Sequence, residues 1–107
     1  MNSWLYLFVA GFFEIGFTTC MKLSDGFTAI FYTLGFIICA VFSFYCLNKS
    51  LATIPLGTAY AVWTGVGAFG TAVIGMIFFK DPVSVMRSVF LILLIGSILG
   101  LKFVSAD

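Results

Sequence analysis

Charge is the scarcest feature of this 107-residue sequence, since only 8% of its residues are Asp, Glu, Lys or Arg. A soluble domain is about a quarter charged, so this chain has too little polar surface to cover a globule in water. Its five basic and four acidic residues nearly balance, which removes the electrostatic attraction that a nucleic-acid partner requires. We therefore expect no nucleic-acid binding, and a lipid environment instead.

Histidine is absent, and the three cysteines all lie inside apolar runs. The usual zinc-site spacings cannot be assembled from these residues, so we expect neither a metal nor a cofactor. A single buried acid without histidine is also a poor basis for catalysis, which disfavours an enzyme. The amino terminus lacks a basic segment and carries Glu14 where a signal peptide would be apolar, so we expect it to be retained as a first helix.

Long uncharged stretches are what the sequence does contain, and hydrophobic residues make up 63% of the chain. Spanning a bilayer takes about 20 apolar residues in a helix, and charged turns divide the chain into four such segments. The predicted helices cover residues 3–22, 28–48, 56–79 and 84–104. They are too long and too continuously apolar for barrel strands. We predict an all-α integral membrane protein with a single four-helix transmembrane domain over residues 1–107.

Glu14 is the one acid predicted to lie within a membrane-spanning helix. Placing a carboxylate there costs about 2.5–3.5 kcal/mol on insertion scales, so the residue needs a compensating role. Desolvation favours its neutral form, whereas an organic cation can pair with its ionised form. Proton and cation would then compete for one site, which is sufficient for coupled antiport. The alternative is that Glu14 only mediates helix association, but all five basic residues lie at predicted helix ends.

Side chains on three helices could complete a site around this acid. On the first helix Phe17 and Thr18 share its face, because residues three and four apart line up. On the third helix Tyr60 and Trp63 share a face, and they offer rings for cation–π contact and a phenol that can hydrogen-bond a carboxylate. Ser43 on the second helix is a weaker candidate, because such hydroxyls often bond their own backbone. For the aromatic residues, packing against lipid or protein is the alternative.

The positions of the glycines in the third and fourth predicted helices indicate two further roles for those helices. In the third helix, Gly65 and Gly67 allow close helix approach or bending, which a binding helix that must flex requires. In the fourth helix, Gly96 and Gly100 form a GxxxG pair that could be a dimer seam, with packing inside one chain as the alternative. Four short helices do not enclose a substrate path, whereas a dimer would bring two copies of Glu14 to one cavity.

Basic residues are divided almost evenly between the two membrane faces. An even number of helices puts both termini on one side, and that side carries Lys49 and Lys102. The other side carries Lys22, Lys80 and Arg87. So weak a bias permits insertion in both orientations and pairing as an antiparallel homodimer. A single topology set by cellular factors is the alternative.

Two motifs give the chain a resemblance to the small multidrug resistance transporters, and the resemblance extends over essentially its whole length. The helix 1 signature of that family resembles residues 14–27, EIGFTTCMKLSDGF. The helix 3 motif is similar to residues 55–67, PLGTAYAVWTGVG. The resemblance implies a dual-topology, antiparallel homodimer in the bacterial inner membrane that exports small organic cations in exchange for protons. Some members of the family work as heterodimers of two paralogues, which is a second possible assembly.

The same matching assigns roles to individual residues. It implies that Glu14 of both chains forms the shared proton and substrate site, and that Tyr60 and Trp63 contact the substrate. It also implies that Ser43 hydrogen-bonds the glutamate.

Features of two branches of the family occur together. Residues 79–82 (FKDP), Arg87 and residues 100–102 (GLK) resemble the guanidinium exporters, whereas residues 18–22 (TTCMK) resemble exporters of quaternary ammonium drugs. Phe17 stands where the first branch usually has tryptophan and the second has glycine. We expect a proton-coupled exporter that leans to guanidinium and guanidinyl compounds. The alternatives are a quaternary ammonium exporter and a non-transporting membrane subunit.

Overall fold

The computed structural model describes residues 2–104, and within that range it contains four α-helices joined by short loops. They are α1 (Ser3–Leu23), α2 (Ile30–Ser50), α3 (Leu56–Phe78) and α4 (Val85–Val104). All four are long and apolar enough to cross a membrane, because a helix of about 20 residues spans the hydrocarbon layer. The predicted all-α membrane architecture is confirmed.

The turn between α1 and α2 is centred on Ser24, which is fully buried. Its hydroxyl donates to the Met21 carbonyl at 2.7 Å and accepts the Phe27 N–H at 3.1 Å. Residues 25–27 all have positive φ, a left-handed conformation that is uncommon outside glycine. This segment reverses the chain, so α2 begins at Ile30, two residues later than the sequence predicts.

The central helix is α1, which packs along both α2 and α3, whereas α4 lies against α3. Glycine allows α1 and α2 to approach closely. A Cβ added at Gly16 would lie 3.1 Å from Cys39 Sγ, and one added at Gly35 would lie 3.0 Å from Cys20 Sγ. In lipid, such close van der Waals packing replaces the hydrophobic effect as the attraction between helices.

The buried core of the described residues lies toward the amino-terminal half of α1. It consists of Trp4, Leu7, Ala10, Cys46, Ile54, Ala59, Val62, Trp63 and Ile98. Large apolar side chains elsewhere are exposed, including Phe31 at 84% and Phe103 at 88%, which suits contact with lipid rather than water. The described chain measures 43 × 35 × 19 Å. It is therefore a plate about two helix diameters thick, at roughly 10 Å each, and not an enclosed bundle.

Candidate functional site

Glu14 lies on the face of α1 that meets α3, and it is partly buried. Its carboxylate lies against Gly67, where an added Cβ would collide with Glu14 Oε1 and Cδ. The approach therefore requires glycine at this point of α3. Oε1 is buried and has no hydrogen-bond partner among residues 2–104. A polar oxygen so placed is costly unless a proton or a cation satisfies it, and the arrangement can hold either.

Thr18 connects α1 to α3 one helical turn beyond Glu14. Its Oγ1 lies 3.0 Å from the carbonyl oxygens of Glu14 and Ile15, and 2.7 Å from Thr71 Oγ1. A threonine has a single hydroxyl proton, so when Thr18 donates to the carbonyl of Glu14 or Ile15, Thr71 donates to Thr18. Thr71 was not predicted from the sequence. It lies four residues after Gly67, on the same face of α3, and extending that stripe by one turn would have found it.

Ser43 is fully buried and joins three helices. Its hydroxyl donates to the Ala10 carbonyl of α1 at 2.7 Å and accepts from Trp63 Nε1 of α3 at 2.9 Å. The hydrogen bond to Glu14 that the family resemblance implies is not formed in this structure, because the only proton of the hydroxyl goes to Ala10. Ser43 instead fixes the orientation of the Trp63 indole.

All three predicted aromatic residues, Phe17, Tyr60 and Trp63, belong to one run of ring contacts. We call this run the aromatic row; in order, its rings are Tyr60, Trp63, Phe44, Phe17 and Phe36. Neighbouring ring centroids lie 5.5 to 6.2 Å apart, within the range of favourable ring contacts. Tyr60 is 58% exposed, Trp63 8% and Phe44 54%, so the row is buried at Trp63 and reaches the surface on either side of it. Phe44 and Phe36 on α2 were not predicted. Ring faces of this kind attract organic cations.

The four predicted glycines serve different surfaces. Gly67 contacts the carboxylate of Glu14 on α1, whereas a Cβ added at Gly65 would lie 2.8 Å from Ile98 Cδ1 of α4. Both are close-packing positions within a continuous α3, and their role in bending stays a prediction. Gly96 and Gly100 are exposed, and among the described residues no atom lies within 4 Å of an added Cβ. They are available to another helix, and the dimer seam also stays a prediction.

A cleft of about 140 Å³ opens at the carboxyl ends of α1 and α3. We call it the Asp81 cleft; its lining residues are Thr18, Thr19, Lys22, Thr71, Ile74, Gly75, Phe79 and Asp81. The Asp81 side chain lies against Gly75, where an added Cβ would meet Oδ2. The backbone N–H of Asp81 donates to the Gly75 carbonyl at 3.0 Å. Asp81 and Thr19 were not predicted as site residues. In residues 2–104 no cluster of three or more potential metal ligands occurs.

The whole chain is similar to known bacterial membrane proteins. The family model for the Small Multidrug Resistance protein matches residues 2–94. A guanidinium exporter of Proteus vulgaris is 39% identical over 103 residues, which cover 96% of this chain and 99% of that protein. A guanidinium exporter of Citrobacter freundii is 37% identical over 100 residues, covering 94% and 95%. The uncharacterized membrane protein YvdR of Bacillus subtilis (strain 168) is 36% identical over 109 residues, covering 98% and 99%. The chain therefore belongs to the small multidrug resistance family, which confirms the resemblance seen in its motifs and makes it a multi-pass transporter of the bacterial inner membrane rather than an enzyme.

Proposed function

We propose that the chain is a proton-coupled antiporter that exports small organic cations, with guanidinium and guanidinyl compounds as the preferred class. The observation that carries this proposal is the buried Oε1 of Glu14, which has no hydrogen-bond partner among residues 2–104. It offers one position that either a proton or a cation can satisfy. The guanidinium exporters among its relatives support the substrate class.

One carboxylate can couple two fluxes because its two ligands exclude each other. A cation pairs with the ionised form, and the nearby aromatic row adds cation–π attraction. A proton neutralises the carboxylate and removes most of the attraction, so the cation leaves. Cation binding therefore weakens as the pH falls. If the site opens to each membrane face in turn, and does so only while Glu14 holds either a proton or a cation, the inward flow of protons drives the outward flow of cations.

We further propose that the working unit is an antiparallel homodimer. A plate 19 Å thick does not surround a substrate, and the phenol end of the aromatic row is open at Tyr60. A second copy would cover that surface and bring a second Glu14 to the same cavity. The exposed strip of Gly96 and Gly100 on α4 permits close contact with another helix. A heterodimer with a paralogue is the alternative assembly.

Transport by the purified protein in proteoliposomes tests the proposed function. Charge movement and lumenal pH are recorded when guanidinium or, separately, tetramethylammonium is added to the native chain and to Glu14→Gln. We expect guanidinium to drive proton exchange in the native chain. Gln has a similar shape but cannot ionise, so we expect Glu14→Gln to abolish exchange and to leave the dimer intact. Loss of the dimer would instead support a non-transporting subunit in which the glutamate holds helices together.

Export of quaternary ammonium compounds is the second candidate function, and the aromatic row favours it. Exposed rings attract bulky apolar cations without needing hydrogen bonds, and Phe17 enlarges this surface by stacking on Phe44 at an interplanar angle of 22°. If tetramethylammonium drives proton exchange as well as guanidinium or better, this candidate replaces the first.

A further inference from the structure

A polar seam runs from Glu14 to the Asp81 cleft. Contacts between α1 and α3 advance together along both helices, first Glu14 with Gly67 and then Thr18 with Thr71. One further turn along each helix leads to Lys22 on α1 and to Gly75 on α3, and both line the cleft. Because residues four apart share a helix face, the two stripes form one continuous path. Competition between a proton and a cation at Glu14 gives no role to the Asp81 cleft at the other end of this path.

The cleft presents more hydrogen-bond acceptors than donors. The Thr19 hydroxyl donates to the Ile15 carbonyl at 2.8 Å, and the Thr18 hydroxyl lies 3.0 Å from the carbonyls of Glu14 and Ile15. Each hydroxyl oxygen therefore keeps at least one lone pair that can accept a hydrogen bond. Asp81 adds a carboxylate, which only accepts when it is ionised. A ligand that matches these acceptors therefore carries N–H donors.

Lys22 is the basic side chain in the lining of the cleft. Its Nζ lies 5.9 Å from the centroid of the Phe79 ring, so the ammonium is placed on an aromatic face. The structure gives Lys22 this ring contact and no ion pair with Asp81. The Asp81 carboxylate can therefore accept N–H groups from a mobile cation, while the Lys22 ammonium in the same lining opposes a second positive charge.

We propose that the Asp81 cleft is an outer binding site for cations that carry N–H groups, guanidinium above all, between the aqueous face and Glu14. Its volume of about 140 Å³ is well above the roughly 10–15 Å³ that one water molecule requires, and a small planar cation fits. Tetraalkylammonium ions have no N–H group, so the cleft distinguishes them from guanidinium. This inference rests on the proposed function, because it adds a selective site to the same route.

The test uses the Glu14→Gln chain, so that the cleft is observed without the membrane carboxylate. Isotope-labelled protein in lipid bicelles is titrated with guanidinium chloride and, in a parallel series, with tetramethylammonium chloride at the same ionic strength. NMR follows the amide signals of Thr71, Gly75 and Asp81. We expect saturable shifts with guanidinium and none with tetramethylammonium.

Two charge variants in the same background identify the carboxylate. Charge-assisted hydrogen bonds are about twice as strong as neutral ones, so we expect Asp81→Asn to raise the apparent Kd for guanidinium about tenfold. Asp25→Asn is the matched control, because it removes an exposed acid at the same membrane face but outside the cleft. We expect it to leave the Kd unchanged. The amide spectrum itself reports whether each variant is folded.

Three results would overturn the proposal: equal shifts with both cations, no saturable shift with guanidinium, or a Kd that Asp81→Asn does not change. These readings do not depend on transport, since the titrated chain lacks Glu14. If binding depends on Asp81 but the native chain moves no cation against protons, the outer site stands and the proposed antiport is wrong.

Discussion

Among single residues, Gly67 has the most direct control over the position of the Glu14 carboxylate. A methyl group there would meet Oε1 and Cδ of Glu14, so the side chain would have to leave its place against α3. We expect Gly67→Ala to weaken equilibrium binding of guanidinium by about tenfold or more, which corresponds to a loss of at least about 1.4 kcal/mol of binding free energy. Gly57→Ala is the control, because no described atom lies within 4 Å of its added Cβ. An equal loss in both variants would contradict the steric explanation.

Ser43 has a structural role that its predicted role in the site did not include. Ser43→Ala would leave the buried Trp63 N–H without its partner and would remove the cross-helix bond to Ala10. We expect it to lower the free energy of unfolding by about 1–3 kcal/mol, measured by SDS titration in mixed micelles. Thr33→Ala is the control, because the Thr33 hydroxyl donates at 2.9 Å to the carbonyl of Ala29, the residue that caps the start of the same helix, α2. That bond does not join two helices. Equal costs would mean that Ser43 does not hold the indole.

At the scale of helices, α4 has one side against α3 and the other side open. Ile98 faces inward, and the opposite face carries Gly96 and Gly100, with open space above them among the described residues. We expect the double change Gly96→Ile and Gly100→Ile to reduce cross-linked dimer in membranes at least about tenfold while the helical fold is kept. Ser97→Ile, at an exposed neighbouring position, is the control. Unchanged dimerisation in the double variant would place the seam on another helix.

The helices could be predicted because a chain in lipid must satisfy its backbone polar groups internally. An uncharged stretch of sufficient length then becomes a helix almost regardless of its side chains. The start of α2 could not be predicted as well, because it depends on the left-handed segment 25–27. That segment is held by hydrogen bonds to Ser24, and composition does not reveal such bonds.

The candidate site could be predicted only in part. Glu14 stands out in the sequence because a charge within the membrane is costly. The partners of Ser43 and Thr18 depend on how far each helix is rotated against the next, and the periodicity of one helix does not give that rotation. Asp81 joins the cleft because the loop after α3 folds back onto Gly75, a contact that no spacing in the sequence predicts.

For the molecule as a whole, the distribution of basic residues leads us to expect both orientations in the membrane. The face with the termini carries two of the five basic side chains, Lys49 and Lys102, and the other face carries three. Reporters fused to the carboxyl terminus are expected on both sides. Lys49→Gln should shift the population toward external termini, because basic residues favour the cytoplasm. Lys49→Arg keeps the charge and should change nothing. A native chain with only one orientation would contradict the expectation.

The Asp81 cleft lies at one end of the plate, where both α1 and α3 end. In the proposed antiparallel pair, the two copies present this end to opposite compartments, so one cleft opens toward the cytoplasm and the other toward the exterior. A cation would then meet the same approach from either side, and no part of the pair would favour one direction. The direction of flow would follow from the two gradients alone, and vesicles with an inverted proton gradient would accumulate guanidinium on the side from which it is normally expelled.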